Sequence, residues 1–165
     1  MIKELWILAK MLFRSKPAEK EKVSLLGMKH IPFVGYKYLM WCGYMIYRDD
    51  MYDRRQKEWP TDIFKVDMNH EQIHLMQAKM CGSWIKYYWR YLCEWIKGGP
   101  LLNPASAAYY TIPFEAEAYA NEHNFDYSIN YNGANLVKYT FKERKKLYKE
   151  LGGEPNAWKY FVKNL

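Results

Sequence analysis

The chain of 165 residues has few cysteines and no long apolar run. Its three cysteines, Cys42, Cys81 and Cys93, are an odd number at spacings unlike a disulfide framework or a thiolate zinc site. No window approaches the roughly 18 uncharged apolar residues of a membrane-spanning helix. The apolar start, MIKELWILAKMLF, contains charged residues and precedes no small-residue cleavage site, which argues against a signal peptide. These absences predict a cytoplasmic protein, either free or peripheral to a membrane.

The chain also lacks internal repeats and low-complexity tracts, whereas apolar and aromatic residues are abundant. Half of the residues are hydrophobic and 18% are aromatic. A chain of this length buries roughly two-thirds of its unfolded surface, so a metal is not needed merely to hold it folded. The net charge of +7 is densest in KERKKLYK, residues 142–149, which we interpret as a solvated helix face. We therefore predict a single domain over residues 1–165 and no nucleic-acid partner.

Changes in hydrophobic period predict an α+β fold. Residues 2–13 fit an amphipathic helix, and residues 29–48 are rich in aromatic and β-branched residues and fit two strands. IFKV, residues 63–66, is interpreted as a last short strand. The predicted segments after the first helix are a sheet region at 29–66, active-site and aromatic helices at 67–97, a ligand helix at 112–125 and C-terminal helices at 136–165.

Capping residues predict where the helices begin and end. Asp67 or Asn69 is the expected N-cap of the active-site helix, which runs toward Gly82. Ser83 can cap the aromatic helix that follows. Pro113, a residue favoured at the first helical position, predicts the start of the ligand helix.

The motif HEQIH on the active-site helix carries the strongest chemical signal. His70 and His74 lie four residues apart, so a helix can aim both imidazoles at one point. Neutral imidazole is a good zinc ligand, and two of them make half of a tetrahedral site. Glu71 lies about 100° round the helix from His70 and can act as a base toward a water molecule. The alternative interpretation is a pair of hydrogen-bonded core histidines.

A third zinc ligand is expected from PFEAEAYANE. Glu115, Glu117 and Glu122 lie on the predicted ligand helix, and a carboxylate ligand would leave one coordination position for water. Glu115 and Glu117 are about 200° apart round a helix, so only one of them can face a zinc ion while the other points away. Helix geometry alone leaves the choice open.

HEQIH followed by FEAEAYANE resembles the glutamate-type zincin (gluzincin-like) metallopeptidases, in which a Glu from a following helix completes a helical HExxH motif. The chain is similar in more detail to a group of small bacterial metallopeptidase-like proteins. The shared features are MKHIPFVGYKYLMWCGYMIYR, NHEQIHLMQ, YYWRYLCEWI, FEAEAYANE and AWKYF. They cover about residues 28–122 and the last ten.

The resemblance implies a zincin-like fold with Glu115 as the third ligand and Glu117 as the alternative. It also implies that the 29–48 hairpin supplies an edge strand that pairs with an extended peptide substrate. The chain departs from the resemblance at Tyr119, where many relatives place an Asp that orients a ligand histidine. Glu117 or Glu122 would have to replace that carboxylate.

Other polar residues near the motifs have simpler interpretations. His123 can be a ligand, but its position favours a surface histidine at a helix end. Tyr109 and Tyr110 can donate to a developing oxyanion, although packing is the better explanation in a chain with sixteen tyrosines.

The function predicted from these residues is that of a hydrolase. It is a zinc metallopeptidase in which Glu71 is the general base, Zn²⁺ is the cofactor and the partner is a peptide or protein substrate. Two alternatives remain, a non-catalytic zincin-like interaction domain and a peripheral membrane-surface protein. The second rests on the aromatic residues of 84–96, the amphipathic residues 2–13 and the basic charge.

Overall fold

The computed structural model describes residues 1–32, 38–49, 62–97, 109 and 112–132. Helices and one small mixed sheet make up this part of the chain, which confirms the predicted α+β class. The predicted C-terminal helices at 136–165 lie outside the described residues. The elements are α1 (Ile2–Arg14), a short 3-10 turn (Pro17–Glu19), β1 (Ser24–Met28), β2 (Leu39–Trp41), β3 (Tyr44–Arg48), α2 (Asp62–Cys81), α3 (Trp84–Lys97) and α4 (Pro113–Asn121).

The chain divides into two compact units, Met1–Ile85 and Lys86–Leu165, with the boundary within α3. In the first unit the strand order is β1-β3-β2. β1 is parallel to β3, with Ser24 opposite Tyr44, and β2 is antiparallel to β3. The hairpin predicted within 29–48 is confirmed as β2 and β3. The predicted sheet region at 29–66 is wrong at both ends, because β1 precedes it and its last five residues, 62–66, are helical.

The hairpin turn follows from its two central residues. Cys42 has a φ of 50° and Gly43 a φ of 78°. Positive φ at both central positions is typical of a type I′ turn, whose twist matches that of the flanking strands. A Cβ on Gly43 would lie 2.7 Å from Lys20 Cγ, because the Lys20 side chain crosses this turn toward the ring of Tyr44. Gly43 therefore allows both the positive φ of the turn and the close approach of the Lys20 side chain.

One face of α1 packs on the sheet. Leu8 joins Met28, Ile31 and Ile46 in an apolar cluster, and Trp41 Nε1 donates to the Leu8 carbonyl at 2.9 Å. The Glu4 carboxylate accepts from the backbone N–H of Lys29 at 2.6 Å and of His30 at 3.2 Å. Desolvation raises the pKa of Glu4, but these hydrogen bonds and the His30 ring outweigh it, so the pKa is lowered. These contacts fix α1 to the end of β1.

The helix α2 begins earlier than its capping signals predict. It runs from Asp62, so the strand predicted for IFKV is wrong and neither Asp67 nor Asn69 is an N-cap. The four residues IFKV, three of them apolar, are too few for their period to distinguish a strand from a helix turn, and here they continue the helix. The predicted end near Gly82 is confirmed, since Gly82 has a φ of 77° and its N–H donates to the Lys79 carbonyl.

The second unit contains most of α3 and all of α4. Tyr87 and Tyr91 of α3 contact the ring of Phe114 of α4, with ring centroids 5.1 and 6.3 Å apart. Pro113 is the first residue of α4, as predicted, and Ile112 is its N-cap. The helix ends at Asn121, and turns follow to residue 130, so the predicted range of 112–125 is too long at its C-terminal end.

Candidate metal centre

The two histidines of HEQIH converge on α2. Their Nε2 atoms are 3.1 Å apart, and both side chains are buried. Two nitrogens bound to a tetrahedral zinc at 2.0–2.1 Å would be about 3.3–3.4 Å apart, so the pair is spaced almost as zinc ligands are. The same distance fits a hydrogen bond between the rings. The spacing alone therefore does not separate a metal site from a buried histidine pair.

Gln77 determines which nitrogen of His74 can bind a metal. Its side chain is fully buried, and its Oε1 lies 2.7 Å from His74 Nδ1. An amide oxygen only accepts, so Nδ1 carries the proton and the lone pair of a neutral His74 lies on Nε2, the atom nearest His70. Gln77 is not among the residues predicted from the sequence, although its position one helical turn after His74 was an available signal.

Glu115 is a buried carboxylate held by tyrosines. The Tyr91 hydroxyl donates to Glu115 Oε1 at 2.8 Å. Desolvation, and then the charge of Glu115, raise the pKa of Tyr109 well above its usual value, and a hydrogen bond to Glu115 adds to this. Tyr109 thus contacts a carboxylate as a neutral donor. Its predicted role toward an oxyanion is untested, and Tyr110 lies outside the described residues.

Within the described part of the chain, His70, His74 and Glu115 form a group that could hold a metal ion. Each offers one ligand atom, these atoms all lie within 4.8 Å of one another, and all three residues are buried. Two imidazole nitrogens and one carboxylate oxygen suit zinc and similar transition metals, whereas Mg²⁺ and Ca²⁺ prefer oxygen ligands. The donor chemistry therefore fits the zinc ion that the sequence predicts.

The other carboxylates of α4 have different surroundings. Glu117 was expected to point away as a surface or supporting group, but it is fully buried. Its two oxygens accept from the hydroxyls of Tyr127 at 2.7 Å and Tyr131 at 3.2 Å. The prediction that Glu117 is a surface residue is wrong, because the residues on both sides of this short helix are buried. These tyrosine contacts account for the burial of Glu117 without a metal.

Three further predicted residues lie as follows. Glu122 is buried, and one of its oxygens is 3.7 Å from Nε2 of His123. The His123 side chain is exposed at the end of α4, as its simpler interpretation predicts. Glu71 follows His70 in the sequence of α2, and its side chain is half-buried. Its role as a base remains a prediction.

The chain matches no protein-family model, and no curated protein or solved structure resembles it at a significant level. The resemblance to glutamate-type zincins therefore remains a prediction from the motifs.

Proposed function

We propose that the protein is a zinc-dependent peptidase whose ligands are His70, His74 and Glu115. The observation that carries this proposal is the convergence of three buried donor atoms from these residues. Zinc is the metal that this donor set and an HExxH motif most favour.

A zinc ion bound there would supply Lewis-acid activation of a water at neutral pH. The residues of the chain would supply the rest of the chemistry. Gln77 holds the Nδ1 proton of His74, and Tyr91 donates to Glu115, so each fixes the orientation of a ligand. Glu71 would accept the proton of the attacking water and pass it to the leaving amine of the substrate.

The metal is tested first, on purified protein without an added metal-binding tag. We expect about one zinc per chain by elemental mass spectrometry, and we expect His74→Ala to lose it. Zinc-free wild-type protein that also fails to bind added zinc would contradict the proposal. The two histidines would then be a hydrogen-bonded core pair.

The role of Glu71 is tested with Glu71→Gln, which keeps the shape of the side chain but cannot accept a proton. We expect zinc to be retained and cleavage of a peptide library, followed by mass spectrometry, to fall at least about a hundredfold. Glu94→Gln is the matched control, because Glu94 pairs with Lys97 on another helix. Zinc lost with Glu71→Gln would make Glu71 a ligand. Zinc-loaded wild-type protein that cleaves nothing would favour the non-catalytic interaction domain.

A further inference from the structure

The outer face of α1 carries an exposed apolar stripe. Ile2, Leu5, Trp6 and Phe13 form this α1 stripe, and Ile2 and Trp6 are 82% and 63% exposed. At 100° per residue, Ile2, Trp6 and Phe13 fall within an arc of about 40°. The core residue Leu8 lies on the other side of the helix. A single helix thus presents one apolar face to the sheet and a second one to solvent.

Basic residues of α1 flank the α1 stripe, whereas the acidic residue of this helix does not. Lys3, Lys10 and Arg14 lie together beside it, about 80–120° from Ile2. Lys10 Nζ lies 5.3 Å from the centre of the Trp6 ring. The one carboxylate of α1, Glu4, is held on the core side by its hydrogen bonds to Lys29 and His30.

The helix α3 repeats this pattern independently. Ile85, Trp89, Leu92 and Ile96 form the α3 stripe, and Trp89 is 65% exposed. Their spacing of four, three and four residues keeps them within an arc of about 60°. Lys86 is exposed on one flank, about 100° from Ile85, whereas Arg90 lies about 140° from Ile85 with its guanidinium 5.8 Å from the centre of the Phe114 ring. Glu94 lies about 180° from Ile85 and pairs with Lys97 at 2.6 Å, so it does not oppose the stripe.

We propose that the α1 stripe and the α3 stripe bind the surface of a membrane that contains anionic lipid. Apolar faces with tryptophan, flanked by Lys and Arg, are typical of helices that lie in the membrane interface. The positive charge of the protein indicates which partner covers the two stripes. Two copies of this chain would bring like charges together, whereas anionic headgroups would meet the cations of a protein of net charge +7. A nucleic acid would leave the exposed Ile and Phe side chains without an apolar partner.

The mode of binding is peripheral for the part of the chain that the structure describes. No helix there is long and apolar enough to cross a membrane. The stripes require no metal and no catalytic residue. Membrane binding is therefore independent of the proposed peptidase activity, and His74→Ala should bind vesicles as wild type does.

Co-sedimentation with phosphatidylcholine vesicles, with and without phosphatidylglycerol, tests the proposal. We expect binding to the anionic vesicles that weakens with salt, and a loss of about tenfold in partitioning for each of Trp6→Ala and Trp89→Ala. Ile96→Ala has a matched control in Ile129→Ala, since both isoleucines are exposed but Ile129 belongs to neither stripe. Ile96→Ala should weaken partitioning and Ile129→Ala should not.

Three results would overturn the proposal. The first is no binding to anionic vesicles, and the second is binding that the stripe variants leave unchanged. The third is a concentration-dependent dimer, seen by light scattering, that Trp6→Ala or Trp89→Ala converts to monomer. The stripes would then be an interface between copies of the chain.

Discussion

At the scale of single residues, Gln77 lies outside the HEQIH motif but sets the tautomer of one of its histidines. Zinc binding needs the lone pair of His74 on Nε2, and a neutral imidazole in water exchanges its proton between both nitrogens. The 2.7 Å contact to Gln77 Oε1 holds the proton on Nδ1. In the proposed zinc site Gln77 would therefore be a positioning residue that prepares His74 before the metal binds.

We expect Gln77→Leu to lower zinc affinity by about 10- to 100-fold, because the Nδ1 proton loses its acceptor. Nitrogen NMR of the metal-free protein should show His74 protonated at Nδ1 in wild type and a mixture of tautomers in the variant. Gln77→Glu keeps an acceptor and should keep the affinity.

The matched control for this experiment is Gln72→Leu on the same helix. Gln72 accepts from the backbone N–H of Val23 at 3.0 Å and donates to the Glu21 carbonyl at 3.5 Å, so this variant also loses hydrogen bonds, but none to a ligand. Its zinc affinity should not change. Equal losses in Gln77→Leu and Gln72→Leu would show a general effect on α2 rather than a specific one on His74.

At the scale of elements, two glycines with positive φ allow the cost of left-handed backbone to be measured apart from the cost of steric crowding. Gly82, after α2, has a φ of 77°, and no atom of the described residues lies within 4 Å of a Cβ built there. Gly43, in the hairpin, has a φ of 78° and also the contact with Lys20. A side chain at Gly82 therefore meets only the cost of left-handed backbone.

We expect Gly82→Ala to lower the free energy of unfolding by about 1 kcal/mol, and Gly82→Asn by less, since Asn tolerates this conformation. Gly43→Ala should cost at least as much, because the Lys20 side chain must also move. Urea denaturation followed by circular dichroism measures all three. An unchanged midpoint for Gly82→Ala would mean that α2 can end without left-handed backbone there.

At the scale of the whole molecule, metal binding should be linked to stability. A ligand that binds only the folded protein stabilises it, by about 2.7 kcal/mol at a concentration of one hundred times its Kd. The candidate ligands come from α2 and α4, which are far apart in the sequence. Zinc should therefore raise the melting temperature only when both helices supply their donors.

We expect added zinc to raise the Tm of wild type and of Glu117→Gln, and not that of Glu115→Gln. Each variant is compared with its own metal-free Tm, because Glu117→Gln also changes the contacts with Tyr127 and Tyr131. The opposite result would make Glu117 the ligand. A zinc-dependent rise in both variants would remove α4 from the site.

The sequence by itself determined the features that depend on near neighbours along the chain. The four-residue spacing of His70 and His74 is enough to bring their rings together on any helix. Pro113 and Gly82 marked a helix start and a helix end, because a fixed φ or a positive φ acts on the backbone locally. The α+β class followed from the changes of hydrophobic period.

Only the tertiary structure decided the features that depend on distant partners. β1 is a strand because it pairs in parallel with β3, and its own sequence does not specify that neighbour. IFKV is helical because tertiary context selects one of the two states that so short a segment allows. Glu117 is buried because tyrosines beyond α4 fold back to it. Local periodicity fixes which way a side chain points, whereas non-local packing fixes what it meets.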